Sequence, residues 1–529
     1  MDGARQVELE AMSHQIGMNE VIERGDSAVQ QFYCGSVVFI TGSSGFLGKQ
    51  LVEKLLRSCQ IKKLYLLLRS KNGKTIQERL DNVLEDPLYD VIRKKQPDFA
   101  DKIVPVEGDV ADVGLGLDKK EWTMLTQEVD TIFHMAATVR FDESLTVATL
   151  INVRGTRECL TLARECTNLK NFVHVSTAFS HATDEHVKKP VLEKFYPCPV
   201  PPEVMIGLAE SLDEERLDDI TNDLIKNWPN TYTFTKAIAE ELIRTASDLS
   251  VCVVRPPIVV PSYYEPIPGW MDLNALSGPT GILVGIIMGI LHVFYVNKLS
   301  KLAITPVDYV NNATIAAGWD AAELRKKGEK EIQVYTVSNK DYIITWDFIG
   351  VLMRAEGIKM ASPKAVWYCY MIEVQNKVVY WFLTFFLHYI PAYLMDAVGN
   401  LTGTMPKDIN SYVAVFRKID KFALIYHYFL KNEWDFQDDN VQAMLKRMSE
   451  ADRAIYNCDV RTINFSEYVK VWGVGIRRYI IKDGLTGSAD AFKKQMKLKV
   501  ANYVLIAFYA FVIYSIILKI RNIFCYFLF

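Results

Sequence analysis

Tyr232 and Lys236 stand four residues apart, a spacing that puts a phenol and an ammonium on one face of a helix. A phenol titrates near pH 10, so alone it is a poor acid or base at neutral pH. A neighbouring ammonium favours the phenolate and lowers that value. The pair could then hand a proton to an oxygen while a hydride arrives at the attached carbon. Thr177 lies just past an apolar run and adds a hydroxyl that could hydrogen-bond the same oxygen, with Ser176 the second candidate. Pro256 and Pro257 close another apolar run and would shape the loop beside the reacting centre.

A hydride donor needs a site, and the run Thr41-Gly42-Ser43-Ser44-Gly45-Phe46-Leu47-Gly48 has the form of one. It joins an apolar strand to a helix. Gly42 permits a tight turn, Gly45 lets the backbone approach a pyrophosphate, and Gly48 lets the helix pack closely against the sheet. The helix start offers free N–H groups and a positive dipole end to phosphate. The second strand ends at Leu68-Arg69, where an acidic residue would hold the ribose hydroxyl of NAD. Arg69, with Lys71 and Lys74 nearby, favours the 2′-phosphate of NADP instead. Asp109 and Val110 follow the third strand, where a side chain reaches adenine. Ala136 and Ala137 follow the fourth, where small residues admit the cofactor. His134 reads as a packed strand-end residue rather than a catalyst.

These motifs require strands that place them on one edge of a sheet. Alternating apolar runs and helical stretches from Ser36 onward predict an α/β fold, a doubly wound parallel sheet. Strands are expected at Ser36–Thr41, Lys63–Leu68, Ile103–Glu107, Thr131–His134, Asn171–Ser176 and Val251–Val254. Ligands then bind beyond the carboxyl ends of the strands, which is where the hydroxyl, phenol and ammonium fall. The Pro-, Glu- and Asp-rich stretch after Ala178 reads as an insertion over the sheet. Residues 1–34 read as a flexible leader, 35–355 as the catalytic domain, 356–490 as a C-terminal helical domain and 500–520 as a membrane-anchoring segment.

Apolar residues make up 50% of the chain and aromatics 12%, on the greasy side for a soluble enzyme. A net charge of −3 argues against a nucleic-acid partner. The nine cysteines are scattered without ligand spacing, so no metal site and no disulfide framework is expected. Val500 to Leu518 is broken only by Asn502 and Ser515, close to the length that spans a bilayer as a helix. The lysines at 493, 494, 497 and 499 outnumber Lys519 and Arg521 beyond it, favouring a cytosol-facing body. The stretches 281–296 and 378–395 are also apolar. Core packing or subunit contact competes there with a surface that touches lipid or an acyl chain.

As a set the motifs resemble the extended short-chain dehydrogenase/reductases, and among them the fatty acyl-CoA reductases. The resemblance rests on TGSSGFLG at 41–48, LLLRSKNGKT at 66–75, HMAATVRFDE at 134–143, NVRGT at 152–156, HVSTAFS at 174–180, YTFTK at 232–236, RPPIV at 255–259, GPTG at 278–281 and ITPVDYV at 304–310. WDFQDDN at 434–440 and WGVGIRRYI at 472–480 extend it to the C-terminal domain. GIIMGILHVFYV at 285–296 is greasier than that family's pattern. The resemblance implies a membrane-bound enzyme that uses NADPH to reduce a long-chain fatty acyl-CoA through an aldehyde to a primary alcohol, releasing CoA. It implies Tyr232 as proton donor, Lys236 as its partner and holder of the nicotinamide ribose, and Asn152 in the cofactor site. Endoplasmic reticulum and peroxisome are both open as locations, and so is a homo-oligomer. The residues by themselves also fit a membrane-bound sterol or nucleotide-sugar dehydrogenase, or a non-catalytic nucleotide-binding scaffold.

Overall fold

The computed structural model describes every residue except 1, 71–72, 273–277, 342–343, 356–360, 404, 406–410 and 529. Lys71 therefore lies outside the described residues. Seven strands form one parallel sheet: β1 (Val37–Thr41), β2 (Lys63–Leu68), β3 (Ile103–Glu107), β4 (Thr131–His134), β5 (Asn171–Val175), β6 (Val251–Arg255) and β7 (Gln333–Thr336). Their order is β7-β6-β5-β4-β1-β2-β3. The chain reverses direction of growth between β1 and β4, so a crevice opens at the ends of those two strands.

The strand sequences explain the layering. In β1 every residue is buried, as expected of a sheet covered on both faces. Val38 and Ile40 pack with Leu51 and Leu55 of the helix Phe46–Ser58, while Val37 and Phe39 pack on the other side with Leu125 and Cys159. β7 was not foreseen. It is four residues long, follows a charged loop, and pairs Val334 with Val253 of β6.

The leader expected over 1–34 is instead three packed helices, Gly3–Ser13, Gln15–Arg24 and Ala28–Tyr33. Ala4, Glu8 and Ala11 fall on one face of the first and are buried. Small side chains and one ion pair dock that helix: Glu8 pairs with Arg5 and with Arg478 of the C-terminal domain. Asp2 accepts from the Ser488 backbone N–H at 2.9 Å, and the Tyr33 hydroxyl donates to the Ile315 carbonyl at 2.9 Å. Polarity concealed this from a reading based on apolar periodicity.

The C-terminal helices are stitched to the sheet domain by polar contacts. Asp435–Phe436 pairs in parallel with Pro190–Val191 of the insertion. Arg447 forms a two-armed ion pair with Asp320, each bond 2.6 Å. Buried Glu265 takes Lys54 at 2.6 Å and Arg57 at 2.7 Å, and Lys54 also donates to the Ile455 carbonyl.

The two other apolar stretches resolve differently. Residues 281–296 become the end of the helix Pro279–Ile287 and the strand Val293–Tyr295, with Ile282, Leu283, Leu291 and Phe294 buried. Most of that stretch is core, and Leu283, Ile286 and Ile287 also face a cavity. Residues 378–395 lie in helices Lys377–Thr384 and Ile390–Thr402, joined by a π-helical turn, and expose Phe382, Phe385, Tyr393 and Leu394. Lys377–Thr402 and Ser488–Asn522 are both long and apolar enough to cross a membrane. Phe386 meets Tyr509 with ring centroids 5.8 Å apart, so the two apolar elements touch.

Candidate active site

Thr41 ends β1 and ties it to β4. Its hydroxyl lies 2.8 Å from Nδ1 of His134 and accepts from the backbone N–H groups of Met135 and Ala136, both at 3.2 Å. His134 also bonds Thr156 at 3.0 Å, and burial holds its imidazole down at about 3, with the Lys236 ammonium adding to the effect. It is neutral at physiological pH and serves packing.

Gly42 has φ +77°, and a Cβ there would sit 2.7 Å from the Ala136 nitrogen, so only glycine fits. A Cβ on Gly48 would lie 2.6 Å from the Ser43 Cα. Gly48 thus lets the helix close against its own loop rather than against the sheet. Gly45 caps the helix in an extended conformation and is exposed; its nearest obstacle is the Gly42 carbonyl at 3.3 Å. Phe46 leans on Trp270, and the Leu47 carbonyl accepts from Asn311 at 2.9 Å. Ser44 is half-buried beside this open turn, and the buried Ser43 hydroxyl finds no partner among the described residues. A bare helix start facing open space suits a pyrophosphate.

Arg69 lies across the crevice mouth and pairs with Asp109 at 3.1 Å. Both line a cavity of about 580 Å³, with Ser70, Glu107 and Asp112. Val110 is buried next to it, under the start of helix Gly155–Glu165, where a Cβ on Gly155 would be 2.8 Å from the Val110 carbonyl. Asn152 sits in a π-helical turn, Leu150–Arg154. Its carbonyl accepts from the Thr138 N–H at 3.0 Å and its amide donates to the Thr235 hydroxyl at 3.0 Å. It therefore fastens the Ala136-Ala137 loop to the Tyr232 helix, and π-helical turns of this kind gather at functional sites.

Helix Thr231–Arg244 is capped by Asn230, which accepts from the Thr233 N–H at 2.9 Å. Tyr232 projects from its first turn, beside the Thr177 hydroxyl. Thr177 is itself fixed: it accepts from the Phe179 N–H at 3.2 Å and reaches the Pro256 carbonyl at 3.5 Å. That carbonyl also takes the Ala178 N–H at 2.8 Å, and Pro256 and Pro257 are buried. Lys236 donates to the Val175 carbonyl at 2.8 Å.

Two expectations change. Burial pushes the Tyr232 phenol up to about 12, against the Thr177 hydrogen bond. Burial also lowers Lys236 to about 8. Lys236 gives one N–H to the strand carbonyl, and burial outweighs any lowering of the phenol by its ammonium. Ser176 is not beside the phenol either. Consecutive residues of an extended chain point to opposite sides, and Ser176 donates to Glu240 at 2.6 Å.

Glu240 is the centre that the motif reading missed. It is one turn beyond Lys236 and accepts from Ser180 at 3.0 Å and from both arms of Arg255, at 3.0 and 2.6 Å, with His181 at 3.4 Å. Burial alone would raise its pKa, but Arg255 and His181 hold it well below the carboxylate range. Arg255 also donates to the carbonyls of Leu192 and Lys194, fixing the insertion. A carboxylate four residues after Lys236 and an arginine at a strand end were the available signals. The aromatic cover was missed as well. Phe141 stacks on Tyr232 at 5.9 Å and meets Tyr426 at 4.6 Å and Phe429 at 5.2 Å.

A Rossmann sheet, a glycine loop and a Tyr–Thr pair at the strand ends define a nicotinamide-dependent reductase of the extended short-chain type. The family comparisons agree. Residues 40–314 match an NAD-binding family model and residues 387–483 a second model, both described as male sterility protein. The chain is 36% identical over 489 residues to "Fatty acyl-CoA reductase wat" of Drosophila melanogaster, covering 92% of each chain. It is 32% identical over 478 residues to human "Fatty acyl-CoA reductase 1", covering 90% of each. In fold it is similar to the reductase domain of a non-ribosomal peptide synthetase from Mycobacterium tuberculosis, with a TM-score of 0.55, 20% identity, and 89% and 99% of the two chains covered. The chain belongs to the fatty acyl-CoA reductase family.

Proposed function

We propose that the protein reduces long-chain fatty acyl-CoA to a primary alcohol with NADPH, on the cytosolic face of an intracellular membrane, endoplasmic reticulum or peroxisome. The observation that carries this reading is the Tyr232–Thr177 pair under an aromatic roof of Phe141, Tyr426 and Phe429. It sets one proton donor inside an apolar surface suited to an alkyl chain. The open Gly45 turn would hold the pyrophosphate and Arg69 the 2′-phosphate. Asp109 and Val110 would flank adenine, and Ala136, Ala137, Asn152, Pro256 and Pro257 would wall the nicotinamide end. A bound NADPH supplies a hydride, so thioester to alcohol takes two equivalents.

Tyr232, near 12, keeps its proton throughout the neutral range and acts as the acid. It protonates the thioester oxygen as carbon is reduced, giving a hemithioacetal. Thr177 donates a hydrogen bond to that oxygen. Collapse of the hemithioacetal returns its hydroxyl proton to the Tyr232 phenolate as CoA thiolate leaves, giving an aldehyde; when the aldehyde carbon is reduced in turn, the restored phenol protonates its oxygen and completes the alcohol. Lys236 would hold the nicotinamide ribose with the N–H groups not given to Val175. Family membership and the C-terminal domain favour this over a sterol or sugar dehydrogenase, and the intact Tyr–Thr–Lys set favours it over a scaffold.

The membrane placement is supported by Ser488–Asn522, whose apolar window has no buried residue, and by the exposed face of Lys377–Thr402. The test is product analysis on membranes carrying the full chain. Acyl-CoA substrates from octanoyl to docosanoyl would be supplied with NADPH or NADH. Fatty alcohol made with NADPH is expected. No alcohol or aldehyde at any length would overturn the proposal.

A further inference from the structure

A second cavity, of about 400 Å³, lies apart from the cofactor crevice. Leu283, Ile286, Trp346, Met353, Tyr370 and Met496 are among its lining. That volume falls in the range of small-molecule sites, about 300–1,000 Å³. The lining combines aliphatic side chains with flexible thioethers, which adapt to occupants of varied length, alongside the charged Arg354, Glu373 and Lys499.

Its position is set by the tail helix, which contributes Met496 and, at the rim, Lys499. Gln495 clamps that helix to the cavity wall, accepting from the Cys369 N–H at 3.0 Å and donating to the Trp367 carbonyl at 3.1 Å. The Trp367 indole donates to Asn502 at 3.0 Å. Asn502 is 3% exposed, yet Tyr503 is 60% and Val504 65% exposed. Asn502 is thus the last buried residue of the helix among those described, with only side contacts such as Phe386–Tyr509 beyond it, and the cavity sits one to two turns before it.

Apolar packing runs unbroken from this cavity to the phenol. Leu283, Ile286 and Trp346 share one cluster with Phe422 and Tyr426. Phe422 stacks on Tyr426 at 4.1 Å, Tyr426 meets Phe141 at 4.6 Å, and Phe141 stacks on Tyr232 at 5.9 Å. The greasy run at 285–296, out of pattern in the sequence, supplies part of that wall.

We infer that this cavity takes the methyl end of the acyl chain, with the thioester at Tyr232 and the chain passing along Phe141, Tyr426 and Phe422. The inference rests on the acyl-CoA reading above. Length selection then resides at the base of the membrane helix, where a chain drawn from the bilayer arrives.

Two experiments on the full-length protein test it. Palmitic acid carrying a diazirine at its methyl end would be photolysed with the protein and the labelled peptides mapped by mass spectrometry. Label on the segments bearing Met353 and Met496 is expected; label absent from both would overturn the inference. Met353→Trp, at a partly exposed position, should then lower the palmitoyl-to-octanoyl ratio of kcat/KM by roughly tenfold or more, since each methylene in a fitted apolar pocket is worth about that much. An unchanged ratio would also overturn it. If the parent reduces no acyl-CoA of any length, the acyl-CoA reading fails, and the labelling still decides whether the cavity holds an alkyl chain.

Discussion

Lys236→Met isolates the cost of the buried ammonium. In the folded protein burial brings Lys236 from 10.5 to about 8, with Glu240 opposing the shift. The unfolded chain holds that proton up to about pH 10.5 and the folded chain only to about 8, so folding is penalised wherever the ammonium is charged. The penalty is complete below about pH 8 and fades as pH rises through 10.5. At about 1.36 kcal/mol for each pH unit it comes to on the order of 3 kcal/mol at neutral pH. Methionine removes this penalty but leaves the Val175 carbonyl unbonded, at roughly 1–3 kcal/mol. The second effect does not depend on pH and the first does. The stability of the variant minus that of the parent should therefore fall by roughly 2–3 kcal/mol between about pH 7 and about pH 10. Urea denaturation in detergent, without cofactor and followed by tryptophan fluorescence, measures it. A difference that stays flat with pH, or rises, would refute the claim that Lys236 is a desolvated cation. Turnover should be lost whatever the stability does.

Other outcomes follow from the same site. Tyr232→Phe should lower turnover roughly 10²–10⁴-fold with cofactor affinity kept, read by stopped-flow reduction and cofactor fluorescence; near-parental turnover would remove Tyr232 from the acid's role. Gly45→Ala meets nothing closer than 3.3 Å and should melt like the parent while binding cofactor weakly. Gly48→Ala forces a Cβ to 2.6 Å from the Ser43 Cα and should cost roughly 1–3 kcal/mol in thermal stability. Identical behaviour of the two would mean the loop is misread. Arg69→Asp should raise KM for NADPH relative to NADH in steady-state assays. Truncation after Asn502 should leave partial binding in vesicle flotation, through exposed Phe382, Phe385 and Leu394, and glutamates at those three positions should abolish it.

Much of the nucleotide half was legible because its signals are local. Unbroken apolar strands and glycines at fixed offsets act within a dozen residues, and Lys63–Leu68, Ile103–Glu107 and Thr131–His134 fall where periodicity puts them. What escaped depends on partners far along the chain. Ser176 and Thr177 are equivalent by type, and only the alternation of an extended chain sends one to Glu240 and the other to Tyr232. Lys236 was expected to act on the phenol, but the nearest acceptor is a carbonyl of β5, which no spacing rule reveals. Phe141 stood inside a recognised motif, yet its partners Tyr426 and Phe429 come from the C-terminal domain. The first helices were misread as a leader because they bury alanine and an ion pair instead of a greasy stripe.

That docking has a consequence for synthesis. Glu8 is separated from Arg478 by 470 residues and Asp2 from Ser488 by 486, and these are the contacts that seat the first helix. At about 5–20 residues per second, roughly 25 to 90 seconds pass before the partner surface leaves the ribosome. The earliest part of the chain is thus among the last to be placed. Its buried alanines wait in the open until the C-terminal domain has folded, and the segment that follows immediately is the apolar tail helix. Seating of the amino terminus and emergence of that apolar helix from the ribosome belong to the same late window. An amino-terminal fusion that obstructs Asp2 should therefore disturb the seating of the first helix on the C-terminal domain, well away from the cofactor site.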